Sequence, residues 1–304
     1  MNVQENFHLV SYQLHEKENL IENSIMTDLQ KAWFRSDTVG SWRMMRPYNA
    51  LSAFIKAKPE TKWLTIGDGR FGIDGITLNR IEPSLNVLPT DICTDQLEFA
   101  KNEKWIKDYS KVNAEKIDFG NNSFDYVLCK EAYHHFPRPF IALYEMLRVA
   151  KEAIILIEPN DKKDAPLPHQ LLTQIKSFLK KMIGRKNLPL DTWNFEEIGN
   201  YIYSISKREM EKLVLGLNLP ALAYFYYNDY YEKGVEFAEA PTSPLYKKVT
   251  HIIKKADRNS QLGLKVYGNI IVVIFKKSPS TEEVKLLKQN GFRFADLPKN
   301  PYLP

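Results

Sequence analysis

The stretch 63–75, WLTIGDGRFGIDG, constrains the chain more than any other. Apolar Trp63, Leu64 and Ile66 run into Gly67-Asp68-Gly69-Arg70-Phe71-Gly72, the pattern of a buried strand that breaks into a glycine turn and opens a helix. The first glycine permits the tight turn, the second lets a ligand approach bare backbone, and the third lets the helix pack close to the strand. A run of this kind also occurs in ordinary loops, so the residues downstream decide its meaning.

Downstream, helix and strand patterns alternate. Residues 73–81 suit a helix, 85–90 a strand that closes on Asp91, 95–107 a helix, and 124–129 a strand. Pro89 stands inside the second strand and removes a ladder donor there. Residues 139–149 form a helix opened by Pro139 at a tolerated first-turn position, and 153–157 form a strand ending in Glu158-Pro159. This alternation implies right-handed βαβ units on a parallel sheet, whose ligands gather at the carboxyl ends of the strands.

The flanking segments decorate that unit. Residues 1–60 read as a helical cap in which Trp33, Trp42 and Tyr48 are expected in the core and Arg43 and Arg46 in solvent. Residues 160–204 interrupt the alternation. Pro166, Pro168 and Pro189 bracket an amphipathic helix with Leu171, Leu172, Ile175, Phe178, Leu179, Met182 and Ile183 on one face. Lys176, Lys180 and Lys181 lie elsewhere on it, with Arg185 and Lys186 beyond, so a lid is expected, or a peripheral contact of 168–186 with an anionic membrane.

Ser206-Lys207-Arg208-Glu209 is a capping box that opens a helix through Leu217, and 220–231 reads as a tyrosine-rich strand. An insertion over 232–266, without a clear crossover helix, separates it from a strand at 269–276, which suggests an antiparallel pair at the sheet edge. A helix over 281–289, capped by Gly291, opens the tail 277–304. The expected architecture is one α/β domain built on a Rossmann-like doubly wound sheet. The sheet is mostly parallel with an antiparallel C-terminal strand pair, plus helical insertions; 61–159 forms the cofactor half and 205–276 the C-terminal half.

Composition excludes some partners. The net charge of +5 comes from 42 basic and 37 acidic residues, too balanced for a nucleic-acid binder without a concentrated patch. No apolar run approaches the ~20 residues a membrane span needs. The N-terminus carries acids and no apolar signal core, and Cys93 and Cys129 form no paired motif, which together fit a reducing cytoplasm.

Asp91 stands 19 residues after Gly72, where a carboxylate of a nucleotide-binding βαβ unit accepts hydrogen bonds from ribose hydroxyls. Asn113-Ala114-Glu115-Lys116-Ile117-Asp118-Phe119 and Asn122-Ser123-Phe124-Asp125-Tyr126-Val127 follow, and Asn113 has donors and acceptors for an adenine edge. Taken in order, the glycine turn, Asp91, these two stretches and Tyr133-His134-His135-Phe136 resemble the class I S-adenosylmethionine-dependent methyltransferases of the small-molecule type. The likeness covers roughly 45–160 and, more loosely, 205–276. It implies S-adenosylmethionine as cofactor, with Gly67, Asp68 and Gly69 at its methionine part, Asp91 at the ribose, and Asn113 and the Ala114 backbone at the adenine. Two positions depart from the pattern. Thr65 stands where an acid is usual, so the amino-acid part is expected to be anchored through Asp68 or water, and Asn113 replaces an aspartate.

Methyl transfer is an in-line displacement that needs alignment in a dry pocket, and a hydroxyl acceptor must also lose a proton. His135 and His134 follow the fourth strand and are the candidate bases, His135 placed first. Glu131, Glu158 and Asp161 could join a histidine around a divalent ion, but no metal site is expected. Tyr224, Tyr226, Tyr227, Tyr230 and Tyr231 are expected to face partly the core and partly the acceptor or a partner. The acceptor is expected to be a small molecule. The ending Leu297-Pro298-Lys299-Asn300-Pro301-Tyr302 is similar to those of methyltransferases in bacterial sugar and surface-polysaccharide pathways, which points to a sugar or glycan hydroxyl. The alternatives are an NAD(P)-dependent oxidoreductase, whose sheet is typically extended by further parallel units, and a non-catalytic binder of S-adenosylmethionine.

Overall fold

The apolar runs become the middle of one eight-stranded sheet in the computed structural model, which describes residues 7–18, 26–161, 165–182, 195 and 201–302. The strands are β1 (Lys62–Ile66), β2 (Asn86–Asp91), β3 (Ser110–Lys111), β4 (Phe124–Lys130), β5 (Ala150–Pro159), β6 (Ala221–Tyr227), β7 (Asn269–Phe275) and β8 (Arg293–Phe294), in the order β3-β2-β1-β4-β5-β7-β6-β8. β1 pairs parallel with β2 and β4, placing Ile66 beside both Thr90 and Cys129. β7 slots between β5 and β6 and runs antiparallel to each. β3 pairs only with Thr90 and Asp91, so Pro89 lies where β2 has no outer neighbour and its missing N–H is tolerated.

Side chains alternate across this sheet and bury two cores. One face collects Leu64, Ile66, Val127, Leu156 and Val272 under α6 (Pro139–Val149). The other collects Trp63, Tyr126, Ile155, Ile271 and Val273 under α3 (Val39–Lys56), which contributes Leu51, Phe54 and Ile55. Helix α4 (Ile73–Ile81) and the helix after β5's partner strands at Thr281–Gln289 have the expected bounds. The N-terminal helices are α1 (Phe7–Glu18) and α2 (Asp28–Trp33).

Several elements differ from expectation for identifiable reasons. Helix α5 (Asp95–Asn102) stops early because Lys104 adopts a φ of 63° and the Trp105 amide returns to the Ala100 carbonyl at 2.9 Å. That closure puts the Trp105 ring 4.4 Å from that of Phe34. β6 ends at Tyr227 because Asn228 leaves the ladder and its Nδ2 donates to Asp257 and Ser260 at 2.9 and 3.2 Å. The second insertion does contain a helix, numbered α9 (Pro244–Gln261) after α7 (Leu167–Met182) and α8 (Lys207–Gly216). β8 adds a further antiparallel strand outside β6. Ser206 caps α8 by accepting from the Glu209 amide at 3.1 Å, while the Glu209 carboxylate meets the Tyr203 hydroxyl at 3.1 Å.

Arg43 and Arg46 of the cap are not solvated. Arg43 is paired with Asp229, and Arg46 donates to the Asn228 carbonyl at 2.5 Å and stacks on Trp42, whose ring meets that of Tyr246 at 5.1 Å. These contacts pin α3 to the segment that follows β6. Side chains from 176 to 182 and the residues 183–194 lie outside the described part, which covers Lys176, Lys180, Lys181, Arg185 and Lys186 of the amphipathic reading. Among the described residues, no helix is long and apolar enough to cross a membrane.

Candidate functional site

Strand order reverses between β1 and β4, so the chain opens a crevice at their carboxyl ends. The loop from β1 to α4 forms its floor. Asp68, in the middle of that loop, turns inward: Oδ1 accepts from the Asp74 amide at 3.0 Å, and Oδ2 accepts from the Gly75 amide at 2.9 Å and the Thr65 hydroxyl at 2.7 Å. The carboxylate thus sits at the N-terminus of α4, where unpaired amides favour a negative group. Burial, then the charge of Asp74, pushes its pKa up. An acid at position 65 would set another carboxylate against Asp68, whereas Thr65 supplies a donor. That is a physical reason for the departure at Thr65.

Two glycines of the loop tolerate no side chain. Gly67 has a φ of 74°, and a Cβ on it would lie 2.2 Å from that of Ala132. A Cβ on Gly69 would lie 2.7 Å from the Asp91 carboxylate, which accepts instead from the Gly69 amide at 2.9 Å. The other oxygen of Asp91 accepts from the Cys93 amide at 2.9 Å, and burial raises the pKa of the group. Asp91 and Ile92 line the crevice on one side with Asn113 and Ala114. Asn113 turns its side-chain oxygen to the Glu115 amide at 2.9 Å, which shapes the loop that carries Ala114. Glu115 in turn holds Arg138 through its amide at 2.8 Å and its Nε at 2.5 Å.

A polar cluster built on a buried cation lies beside the glycine loop, with Glu131 at its exposed edge. The Lys130 side chain is 4% exposed, and its ammonium lies 3.7 Å from Asp74 and 3.5 Å from Glu131. Tyr48 of α3 donates to Asp74 at 2.6 Å. Burial alone would lower the pKa of Lys130, but the carboxylates of Asp74 and Glu131 outweigh it and raise it. Lys130, Asp74 and Glu131 all line the crevice. The sequence reading ended the strand one residue before Lys130 and missed this cation.

The opposite wall is the 3-10 turn Tyr133–His135. The Glu158 side chain, fully buried at the end of β5, receives the Ala132 and Tyr133 amides at 3.1 and 2.9 Å on one oxygen. Its other oxygen is 2.6 Å from Nδ1 of His134. The His135 ring lies 3.9 Å from that of His134, tilted by 42°, and the ring of His15 of α1 meets it edge-on at 5.7 Å. Burial, then the neighbouring His134, His15 and Arg70, pushes the pKa of His135 down to about 3. Glu158 therefore orients a histidine. Asp161 takes its backbone amide to the Ile205 carbonyl at 2.8 Å, and among the described residues no group of three His, Cys, Asp or Glu is set to hold a metal. The tyrosines expected near the acceptor are not among the residues that line the crevice; Tyr224 and Tyr226 pack on one core and Tyr227 in the other.

The crevice encloses about 540 Å³, within the ~300–1,000 Å³ typical of small-molecule sites. Its parts suit S-adenosylmethionine: bare backbone at Gly67 and Gly69, a braced carboxylate at Asp91, an apolar slot at Ile92 and Ala114, and charges of both signs at Lys130 and Glu131. The depressed pKa of His135 has a consequence for stability. Between its ordinary value of 6.5 and about 3 the unfolded chain binds the proton and the native one does not, so stability falls as pH drops below 6.5. From pH 7 to 5 the wild type should lose up to about 2 kcal/mol more than His135→Gln in urea denaturation. Equal losses in the two proteins would remove the buried neutral state of His135.

Residues 71–157, from Phe71 late in the glycine turn to Ile157 within β5, match the family model described as a methyltransferase domain. No curated protein sequence matches the chain. Among solved structures the chain is similar to the YcgJ protein of Bacillus subtilis, at 18% identity over 77% of this chain and 100% of that one, with a TM-score of 0.45. It is also similar to magnesium protoporphyrin IX methyltransferase of Synechocystis with bound S-adenosylhomocysteine, at 13% identity over 90% of this chain and 99% of that one, with a TM-score of 0.44. A third is a phosphoethanolamine N-methyltransferase of Haemonchus contortus in complex with phosphomonomethylethanolamine and S-adenosylhomocysteine, at 14% identity, 82% and 57% coverage and a TM-score of 0.48. The match to the methyltransferase-domain model thus falls on the part of the chain that carries Asp91, Asn113, Ala114, Lys130 and His134 of the crevice.

Proposed function

We propose that the chain methylates a hydroxyl of a small sugar or glycan-type acceptor, with His134 as the base that takes the hydroxyl proton. The 2.6 Å contact between Nδ1 of His134 and buried Glu158 carries this reading. A carboxylate on Nδ1 selects the tautomer with its proton there and leaves Nε2 as the acceptor. His135, with its pKa depressed, is the weaker base and serves as packing for His134. The sugar-type acceptor rests on the likeness of the ending 297–302 to those of sugar-pathway methyltransferases. The buried Cys93 and Cys129 thiols accord with a cytoplasmic enzyme.

When bound, S-adenosylmethionine supplies an electrophilic sulfonium methyl. The chain's own residues hold the two reactants in line and exclude water. Asp91 would accept from the ribose hydroxyls, Ile92, Asn113 and Ala114 would border the adenine, and Gly67 and Gly69 would offer backbone to the amino-acid part. Asp68 acts through the loop it braces. The zwitterionic end of the cofactor needs a cation and an anion, and Lys130 with Asp74 and Glu131 provides both, Lys130 meeting the carboxylate.

Two measurements test these roles. With a methyl-labelled cofactor and a panel of sugar acceptors, His134→Gln should lower kcat by about 10²–10⁴ while S-adenosylhomocysteine affinity holds, and Glu158→Gln should distort the pH profile. Full turnover in His134→Gln would end its role as base. Lys130→Met should weaken S-adenosylhomocysteine by about tenfold or more but leave 5′-methylthioadenosine, which lacks the amino-acid end, unchanged. Equal losses for both ligands would mean that Lys130 only supports the fold.

A further inference from the structure

A face beside the crevice is apolar and flanked by positive charge. Helix α7 begins a few residues after β5 and exposes Leu167 (74%), Leu171 (58%) and Ile175 (56%), which repeat every four residues along one side. The turn from α9 to β7 comes up against its start. A Cβ on Gly263 would lie 3.6 Å from Pro168 and 3.7 Å from Pro166, and the neighbours Leu262 (59%) and Leu264 (42%) are exposed. Segments nearly a hundred residues apart thus meet at Gly263, and both carry exposed aliphatic side chains there. Massed apolar surface of this kind marks an interaction site more often than chance exposure does.

The charge around the patch is one-sided. The last turns of α9 and the turn after it carry Lys254, Lys255, Arg258 and Lys265, all exposed, against one acid, Asp257, which pairs with Arg46; Lys248 near the start of the helix pairs with Glu232. Buried Val249, Ile253, Ala256 and Ser260 fix the inward side of α9, so its last turns present Lys254, Lys255 and Arg258 to solvent next to Leu262. Residues 165–175 contain no acid. The chain as a whole is nearly balanced, so this excess is local.

We propose that this face docks on an anionic lipid bilayer, its leucines and Ile175 entering the headgroup layer and its lysines meeting lipid phosphates. Aliphatic side chains bordered by lysine fit an interfacial membrane contact, whereas protein interfaces favour Tyr, Trp and Arg and disfavour Lys. Both segments spring from the crevice: Pro159 and Asn269, which line it, end β5 and begin β7. Docking therefore sets the site beside the lipid surface. The proposal stands independently of the acceptor assigned above.

Sedimentation with phosphatidylcholine vesicles, with or without about one-third phosphatidylglycerol, tests it. At low salt the full chain should pellet with the anionic vesicles only, and salt near ~0.5 M should weaken binding at least about tenfold. Leu262→Asp/Leu264→Asp and Lys254→Glu/Lys255→Glu should each lose about tenfold or more with unchanged circular dichroism, while Lys285→Glu on α10 (Thr281–Gln289) should not. Failure to pellet, or equal pelleting with neutral vesicles, overturns the proposal. So does a concentration-dependent dimer that Leu262→Asp abolishes in a protein that ignores vesicles, since the face would then be a protein interface.

Discussion

The Asp68 carboxylate ties β1 to α4, and the crevice depends on that tie. Three donors from Thr65, Asp74 and Gly75 converge on it within 3.0 Å in a buried setting. Removing such a group would leave two helix-terminal amides and a hydroxyl unsatisfied, a loss of roughly 1–3 kcal/mol for each. The tie also fixes where the Gly69 amide points, because that amide meets Asp91 across the loop. One buried acid thus sets the floor of the crevice, and a second acid beside it, Asp91, is the proposed ribose contact.

A similar economy governs the opposite wall. Glu158 holds the turn through two amides and His134 through its ring, so the same carboxylate shapes the loop and orients the candidate base. Both Asp68 and Glu158 act at the carboxyl ends of strands, where parallel pairing leaves backbone amides to be satisfied by side chains. Lys130 lies between the two systems, and the carboxylates of Asp74 and Glu131 keep it charged despite burial.

Much of this was legible in the sequence because it is local. The helices at 73–81, 139–149 and 281–289 announce themselves by a glycine turn, a first-turn proline and a closing Gly291, and the structure places them at those bounds. The spacing of Asp91 from the glycine turn was legible, whereas the hydrogen bond its carboxylate accepts from the Gly69 amide was not. β3 and β8 were not legible, since two residues show no periodicity. α9 hides behind its charged outer face. The roles of Glu158 and Lys130 depend on partners far along the chain: His134 is 24 residues from Glu158 in sequence and becomes its neighbour only because β4 and β5 pair. For the same reason Arg43 and Arg46 read as solvent residues, whereas α3 carries them to the segment after β6.

Calorimetric titration of S-adenosylhomocysteine into the wild-type protein and Asp91→Ala tests the central claim most directly, that this crevice is a cofactor site organised by Asp68 and Asp91. The wild type should bind one equivalent and Asp91→Ala should bind at least about tenfold more weakly, in keeping with the loss of charge-assisted hydrogen bonds. Undiminished affinity in Asp91→Ala, or binding of NADH in place of S-adenosylhomocysteine, would contradict it.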